Sequence, residues 1–319
     1  MKRYALGIAA AAALLAGCGG SQPPIDAPGA MPPMVATRTV GDTSRLGASN
    51  GDLLFVLAGA RSTVGLYART YPRGKFVLHT ETFGTGLCSD DSGNVWVANS
   101  TLNALDEFTR AGYETTIVPD RYGSPGGCSV NPITGAVAAI NQDNGELVVN
   151  GNASYSTSLV AGYYCAYDDH GNLFGVGMNS DYEGQLVELP KGANSVENIT
   201  LNPNESLQGT GAVQWDGKYL AVQAAHSGNK VTIYRLAVSG SNATIVGTTR
   251  LVSPRKETPI RDVQFWIQGN TIAEPIGSEG KGVGDWRYPE GGPPVRVIGR
   301  SGGYHVVYTL GVTVSVAPK

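Results

Sequence analysis

From Asp52 onward, short apolar runs alternate with polar turns, and their spacing is that of strands rather than helices. Val95-Trp96-Val97, Ala136-Val137-Ala138 and Leu173-Phe174-Gly175 each follow a turn that starts on Asp or Asn and passes through Gly. The turns are Asp90-Asp91-Ser92-Gly93-Asn94, Asn131-Pro132-Ile133-Thr134-Gly135 and Asp168-Asp169-His170-Gly171-Asn172. A short run precedes each turn, and residues 211–220, with Asp216-Gly217, form a shortened copy. Asp, Asn and Gly tolerate the left-handed backbone a tight hairpin needs, so the unit is strand, turn, strand. Third strands are expected at 64–68, 104–108, 146–149, 185–189, 230–235 and 283–287, and fourth strands at 75–79, 115–118, 243–248 and 294–298. The run Asp262-Val263-Gln264-Phe265-Trp266, with 270–274 behind it, opens a last unit.

Units repeating at a drifting period of roughly 37 to 50 residues are the size of a four-stranded propeller blade. The first unit starts at its second strand, 52–57, while the chain ends in an unpartnered run, 311–316. Pairing the two would remove an open sheet edge. The expected fold is therefore all-β: a six-bladed β-propeller over residues 46–319, with four-stranded antiparallel blades, closed by the C-terminal strand on the first blade. A pair of β-sandwiches is the rival architecture, and regular repeats with complementary ends count against it.

The blades resemble those of NHL-repeat propellers and the related gluconolactonase group, in which Gly-hydrophobic-x-hydrophobic-Asp is followed by Gly-Asn and a Val-Val-Ala-like strand. The resemblance extends over about residues 46–319, and Tyr288-Pro289-Glu290-Gly291-Gly292 is a turn of the same flavour. For the lactonase group it implies a divalent cation such as calcium near the channel mouth, held partly by Asn side chains. A metal-dependent hydrolase or lyase similar to gluconolactonase or the streptogramin lyases is then the alternative to a binding protein.

The start of the chain reads as an address. Met1-Lys2-Arg3 is a positive n-region and residues 4–13 an apolar stretch too short to span a bilayer permanently, so residues 1–17 are expected to be a cleaved signal peptide. Leu15-Ala16-Gly17-Cys18 resembles a bacterial lipobox, which implies lipidation of Cys18 and a membrane anchor. Residues 18–45 are rich in Pro, Gly, Ser and Ala and read as a flexible linker. Gly19 after the cysteine, by the lipoprotein sorting rule, favours the outer membrane, with the domain in the periplasm or facing outward.

Composition narrows the partners. Charged residues are only 15% of the chain, the formal net charge is −3 and no basic block follows the start, so a nucleic-acid partner is not expected. A monomer that binds a protein, peptide or glycan is. Cys88, Cys128 and Cys165 occupy like places in three successive inner strands, with Val213 and Val263 at the same place in the next two. They read as small buried hydrophobes, too far apart between blades for a disulfide, and no metal is expected. His79, His170, His226 and His305 lack metal spacing, and no Gly-x-Ser-x-Gly is present.

Candidate ligand contacts lie where second strands turn into third strands. Blade by blade these positions are Gly59, Asn99, Asn141, Asn179, His226 and Gly277. Amides and an imidazole there could orient a polar ligand, although Asn also favours such turns for its own backbone. Loops entering the inner strands on the same face add Tyr122, Tyr163, Tyr164, Arg261 and Asp262, suited to an aromatic-walled pocket with a charged rim. Two acids at matching catalytic places are not found, so the chain reads as a binder rather than an enzyme, with no cofactor.

Overall fold

The computed structural model describes residues 51–317 except 61–62, 75, 204, 208–210, 228–229, 256–259, 261–262, 277–281 and 300–307. The expected signal peptide and linker lie outside the described residues. Every helix or strand among those described is a strand, and the chain has a propeller-like all-β fold.

The strands form successive antiparallel meanders. The first comprises β1 (Leu53–Ala60), β2 (Thr63–Thr70) and β3 (Phe76–Glu81). The second runs β4 (Gly86–Ser89), β5 (Val95–Asn99), β6 (Ala104–Phe108) and β7 (Glu114–Pro119). The third runs β8 (Pro125–Val130), β9 (Val137–Asn141), β10 (Leu147–Val149) and β11 (Ala153–Tyr155). Next come β12 (Leu159–Tyr167), β13 (Leu173–Asn179), β14 (Gly184–Leu189) and β15 (Glu197–Asn202). They are followed by β16 (Val213–Trp215), β17 (Leu220–Ser227), β18 (Lys230–Ser239) and β19 (Asn242–Val252). The last meander is β20 (Trp266–Gln268), β21 (Thr271–Ile276), β22 (Gly282–Arg287) and β23 (Gly291–Gly299). Finally β24 (Tyr308–Ser315) returns to the first meander and pairs antiparallel with β1, Leu54 facing Val314 and Val56 facing Val312.

Local chemistry explains the repeat. Asp90 Oδ1 accepts from the Asn94 backbone N–H at 2.8 Å, and Asp168 Oδ1 does the same with Asn172 at 2.8 Å. Asn131 Oδ1 accepts from Ile133 N at 2.9 Å, and Asp216 Oδ1 from Tyr219 N at 2.7 Å. One short side chain thus ties each hairpin turn, and Gly93 and Gly171 supply its left-handed residue at φ 82° and 89°.

Two arrangements differ from the sequence expectation. The last three meanders form a single twelve-stranded sheet, because β19 pairs in parallel with β15 (Thr200 facing Asn242) and with β23 (Leu251 facing Gly292). β19, eleven residues long, pairs with β18 along its whole length and adds short parallel contacts to the outer strands of both neighbours. The last inner strand also starts later than read, at Trp266, so Val263 is not in a strand.

The core lies between consecutive meanders. Residues of β1 alternate sides: Leu53, Phe55 and Leu57 pack with Leu87, Val95 and Val97 of the second meander, while Leu54 and Val56 pack with Ala273, Val283 and Ile298 of the last. Burying each such Leu, Val, Ile or Phe side chain contributes roughly 1.5–3 kcal/mol, which explains apolar residues on both faces of one strand. A polar clamp passes beside β24. Gln264 Oε1 accepts from Leu87 N at 2.7 Å and its Nε2 donates to the Leu87 carbonyl. The clamp passes beside Gly311, where an added Cβ would stand 2.7 Å from Gln264 Oε1.

Candidate functional site

One end of the strands carries the second-to-third-strand turns and the loops that enter the inner strands. Asn99, at the end of β5, is buried; its Nδ2 donates to Asp106 Oδ2 at 2.6 Å and its Oδ1 accepts from Leu102 N at 3.1 Å. Asn141, fully buried at the end of β9, donates from its amide nitrogen to Asp120 Oδ2 at 2.9 Å and accepts from Gly123 N at 3.2 Å. Burial pushes the Asp120 carboxyl up, and hydrogen bonds from Tyr122 N, Asn141 and Gly123 N oppose that shift. Asn179 Oδ1 accepts from Asp181 N and Glu183 N, both at 3.0 Å. Each amide holds a turn of its own meander or the loop beside it.

The aromatic candidates divide. The Tyr122 hydroxyl donates to the Asn152 carbonyl at 3.0 Å while its ring stays exposed. Tyr164 is buried in the core that joins the last three meanders, and Tyr163 packs partly buried against it. His226 lies in β17 opposite Val231, and its side chain is outside the described residues. So are Arg261 and Asp262.

The same end also displays apolar side chains that the sequence reading did not single out. Leu102 is 60% exposed and Tyr182 78%, with Phe83 and Val160 also exposed. All four sit in, or next to, turns and loops at this end. Tyr182 has φ 61°, a left-handed conformation that suits glycine and costs a bulky residue about 1–2 kcal/mol. The available signal was an aromatic in the third place of the polar turn Ser180-Asp181-Tyr182-Glu183.

At the opposite end, where the inner strands finish, a cavity of about 230 Å³ opens. Cys88 and Ser89 of β4, Cys128 and Ser129 of β8, Cys165 and Tyr167 of β12 and Trp215 of β16 line it, with Gln264 and Trp266. None of the described candidate ligand contacts lines this cavity.

The cysteines depart from expectation here. Cys88 and Cys128 form a disulfide with a Cα–Cα distance of 5.6 Å. Blades were read as too far apart, but inner strands converge well inside the roughly 10 Å that separates packed sheets. Cys165 is buried and free, its Sγ 3.7 Å from the Gly127 carbonyl, and burial pushes its thiol well up. At the cavity rim, Asp168, Asp169 and His170 bring three potential ligand atoms within 4.8 Å. Asp168 is already tied to Asn172 through both oxygens, and His170 Nδ1 lies 2.8 Å from Asp169 Oδ1. These are consecutive residues serving one turn.

No family model and no curated protein matches the chain. Solved structures do resemble it. A chain of the nidogen/laminin complex is 13% identical with a TM-score of 0.62, over 83% of this chain and 98% of that one. A protein of unknown function from Bacteroides caccae is 11% identical with a TM-score of 0.56, over 83% and 99%. A functionally unknown protein from Desulfotomaculum acetoxidans is 10% identical with a TM-score of 0.51, over 82% and 89%. At these identities the likeness speaks to the fold, which is β-propeller-like.

Proposed function

We propose that the chain is an exported, lipid-anchored six-bladed propeller that serves as an interaction module, binding a protein, peptide or glycan on the end that carries Tyr182. Six meanders, the pairing of β24 with β1, and the apolar cluster between first and last meanders support a closed ring. The Cys88–Cys128 disulfide suits an oxidising compartment, and Leu15-Ala16-Gly17-Cys18 with its Pro-rich tether supports anchoring at Cys18.

The binding reading rests on Tyr182. A solvent-exposed tyrosine in a left-handed turn lowers stability where glycine would not, and it stands on the same end as exposed Leu102, Phe83, Tyr122 and Val160. Exposed aromatics carried by the loops at one end of a rigid scaffold are the composition of a recognition surface. The hydrolase alternative gains nothing from this arrangement, since Asn99, Asn141 and Asn179 are engaged in turns.

A photo-cross-linking amino acid at Tyr182 or Leu102 should trap a discrete adduct in the cell envelope, whereas one at exposed Ile133, in a turn at the opposite end, should not. Equal labelling at all three positions, or none at Tyr182 and Leu102, overturns the assignment. Labelled fatty acid should enter the wild-type chain and not a Cys18→Ala variant.

A further inference from the structure

Charge at the Tyr182 end narrows the class of its partner, an inference that rests on the reading of this end as a recognition surface. The turns after β5, β9 and β13 stand on consecutive meanders that share core clusters. Each begins on an Asn tied into its own turn or the loop beside it, and three places later presents Leu102, Asn144 or Tyr182, all exposed. The turns and loops of these meanders at this end are 82–85, 99–103, 120–124, 141–146, 156–158 and 179–183, and their charged residues are Asp120, Arg121, Asp143, Glu146, Asp181 and Glu183. Asp120 is buried, so exposed or half-buried carboxylates outnumber Arg121 four to one.

These carboxylates sit beside the exposed rings. Asp181 and Glu183 flank Tyr182; Asn179 engages only their backbone N–H groups, and among the described residues their carboxylates join no hydrogen bond or ion pair. Asp143 lies against the Tyr122 loop, where its Oδ1 accepts from Ser124 N at 3.2 Å and Asn144 Nδ2 donates to the Tyr122 carbonyl at 2.9 Å. An exposed phenol ring beside an unengaged carboxylate matches a guanidinium or ammonium group, which lies on the ring and pairs with the acid. Among the described residues, no three of these acids come together as a group that could hold a metal ion. Their placement therefore fits positive charges spread along a chain, and it repels an anionic glycan or lipid headgroup.

We propose that the partner of this end is a polypeptide segment presenting Arg or Lys between apolar side chains. Its cations meet Asp143, Asp181 and Glu183 beside the tyrosine rings, and its apolar groups cover exposed Leu102 and Val160. Charge supplies orientation and selectivity, while the apolar contacts exclude water around the pairs.

A short fluorescent peptide alternating Arg with Leu, titrated into the anchored protein in neutral-lipid nanodiscs and corrected for empty nanodiscs, tests the assignment by anisotropy. It should bind saturably, about tenfold or more tighter than the same peptide with Glu in place of Arg, and added salt should weaken it. Joint Asp143→Asn, Asp181→Asn and Glu183→Gln substitution should cost about tenfold in affinity. Removing as many charges at the opposite end, through Asp91→Asn, Asp169→Asn and Glu290→Gln, should leave binding unchanged. Equal binding of the Arg and Glu peptides, no saturable binding of either, or equal losses in the two variants overturns the proposal. Cross-linking in the cell envelope through Leu102 separates this failure from that of the recognition surface itself. An adduct that persists undiminished when Asp143, Asp181 and Glu183 are neutralised, or that proves to be a glycan, overturns the basic polypeptide and keeps the surface; no adduct at all overturns both. Near-ultraviolet circular dichroism identifies any variant that fails to fold, and the comparison of peptides on the wild-type protein needs no variant.

Discussion

Arg110 holds Ser315. One guanidinium nitrogen of Arg110, in the turn after β6, donates to the Ser315 carbonyl and hydroxyl, both at 2.8 Å, and to the Val316 carbonyl at 2.6 Å. Its other terminal nitrogen reaches the Gly51 carbonyl at 2.6 Å. A single side chain of the second meander therefore grips the end of β24 and the segment leading into β1. Through β24 it stabilises the pairing on which the first meander depends.

Arg110→Ala should destabilise the protein by about 2–4 kcal/mol, since it removes several charge-assisted hydrogen bonds and leaves carbonyls unpaired. Arg110→Lys should recover only part of that loss, because an ammonium cannot span both chain ends. Urea unfolding midpoints measure the effect, and a midpoint for the Ala variant equal to wild type would contradict the role of the grip.

The Cys88–Cys128 bridge closes a loop with a sequence separation of 40. Constraint of the unfolded chain over that length stabilises the fold by about 4 kcal/mol in the chain-entropy model. Cys88→Ser should lower the denaturation midpoint accordingly. In a Cys18→Ser background, the native protein should show no reactive thiol, and one, Cys165, should appear on unfolding. Three thiols on unfolding would show that the bridge does not form.

Glu188 gives stability a pH dependence. Its carboxyl is buried and pushed up to about 7 from an ordinary 4.5, first by burial and then by the charges of Asp168 and Glu197. Between those values the folded chain holds a proton that the unfolded chain has lost. The contribution is full below pH 4.5 and is lost as pH rises through 7. Glu188→Gln, which needs no ionisation, should raise stability at pH 8 by an amount on the order of 1–3 kcal/mol and flatten this part of the profile. Thermal midpoints from pH 4 to pH 9 measure it, and an unchanged profile in the variant would assign the dependence to other groups.

Tyr182→Gly separates folding from recognition. Glycine relieves the left-handed strain, so the thermal midpoint should hold or rise, with a gain of up to about 1–2 kcal/mol. Loss of partner cross-linking through Leu102 in this more stable variant would mark Tyr182 as a contact rather than a structural residue. A fall in stability would instead show that the ring supports its own turn.

The turns were legible because they are local. Asp90, Asn131, Asp168 and Asp216 bond to backbone groups within four residues, so type and spacing alone announce the hairpins. The alternation of β1 and the unpartnered run before Val316 likewise announced a C-terminal strand lying against the first. β11 and β15 were not read, one having only three residues and the other mostly polar ones. Tertiary structure decided the rest. The disulfide, the clamp of Gln264 on Leu87 and the aromatic cavity join residues far apart in sequence, and nothing local records how closely inner strands approach. The predicted amides show the same limit. Asn99, Asn141 and Asn179 were identifiable as turn residues, but only the three-dimensional course of the chain determines whether an amide meets its own backbone or a ligand. Sequence periodicity sets which face a side chain takes; distance between faces comes from packing.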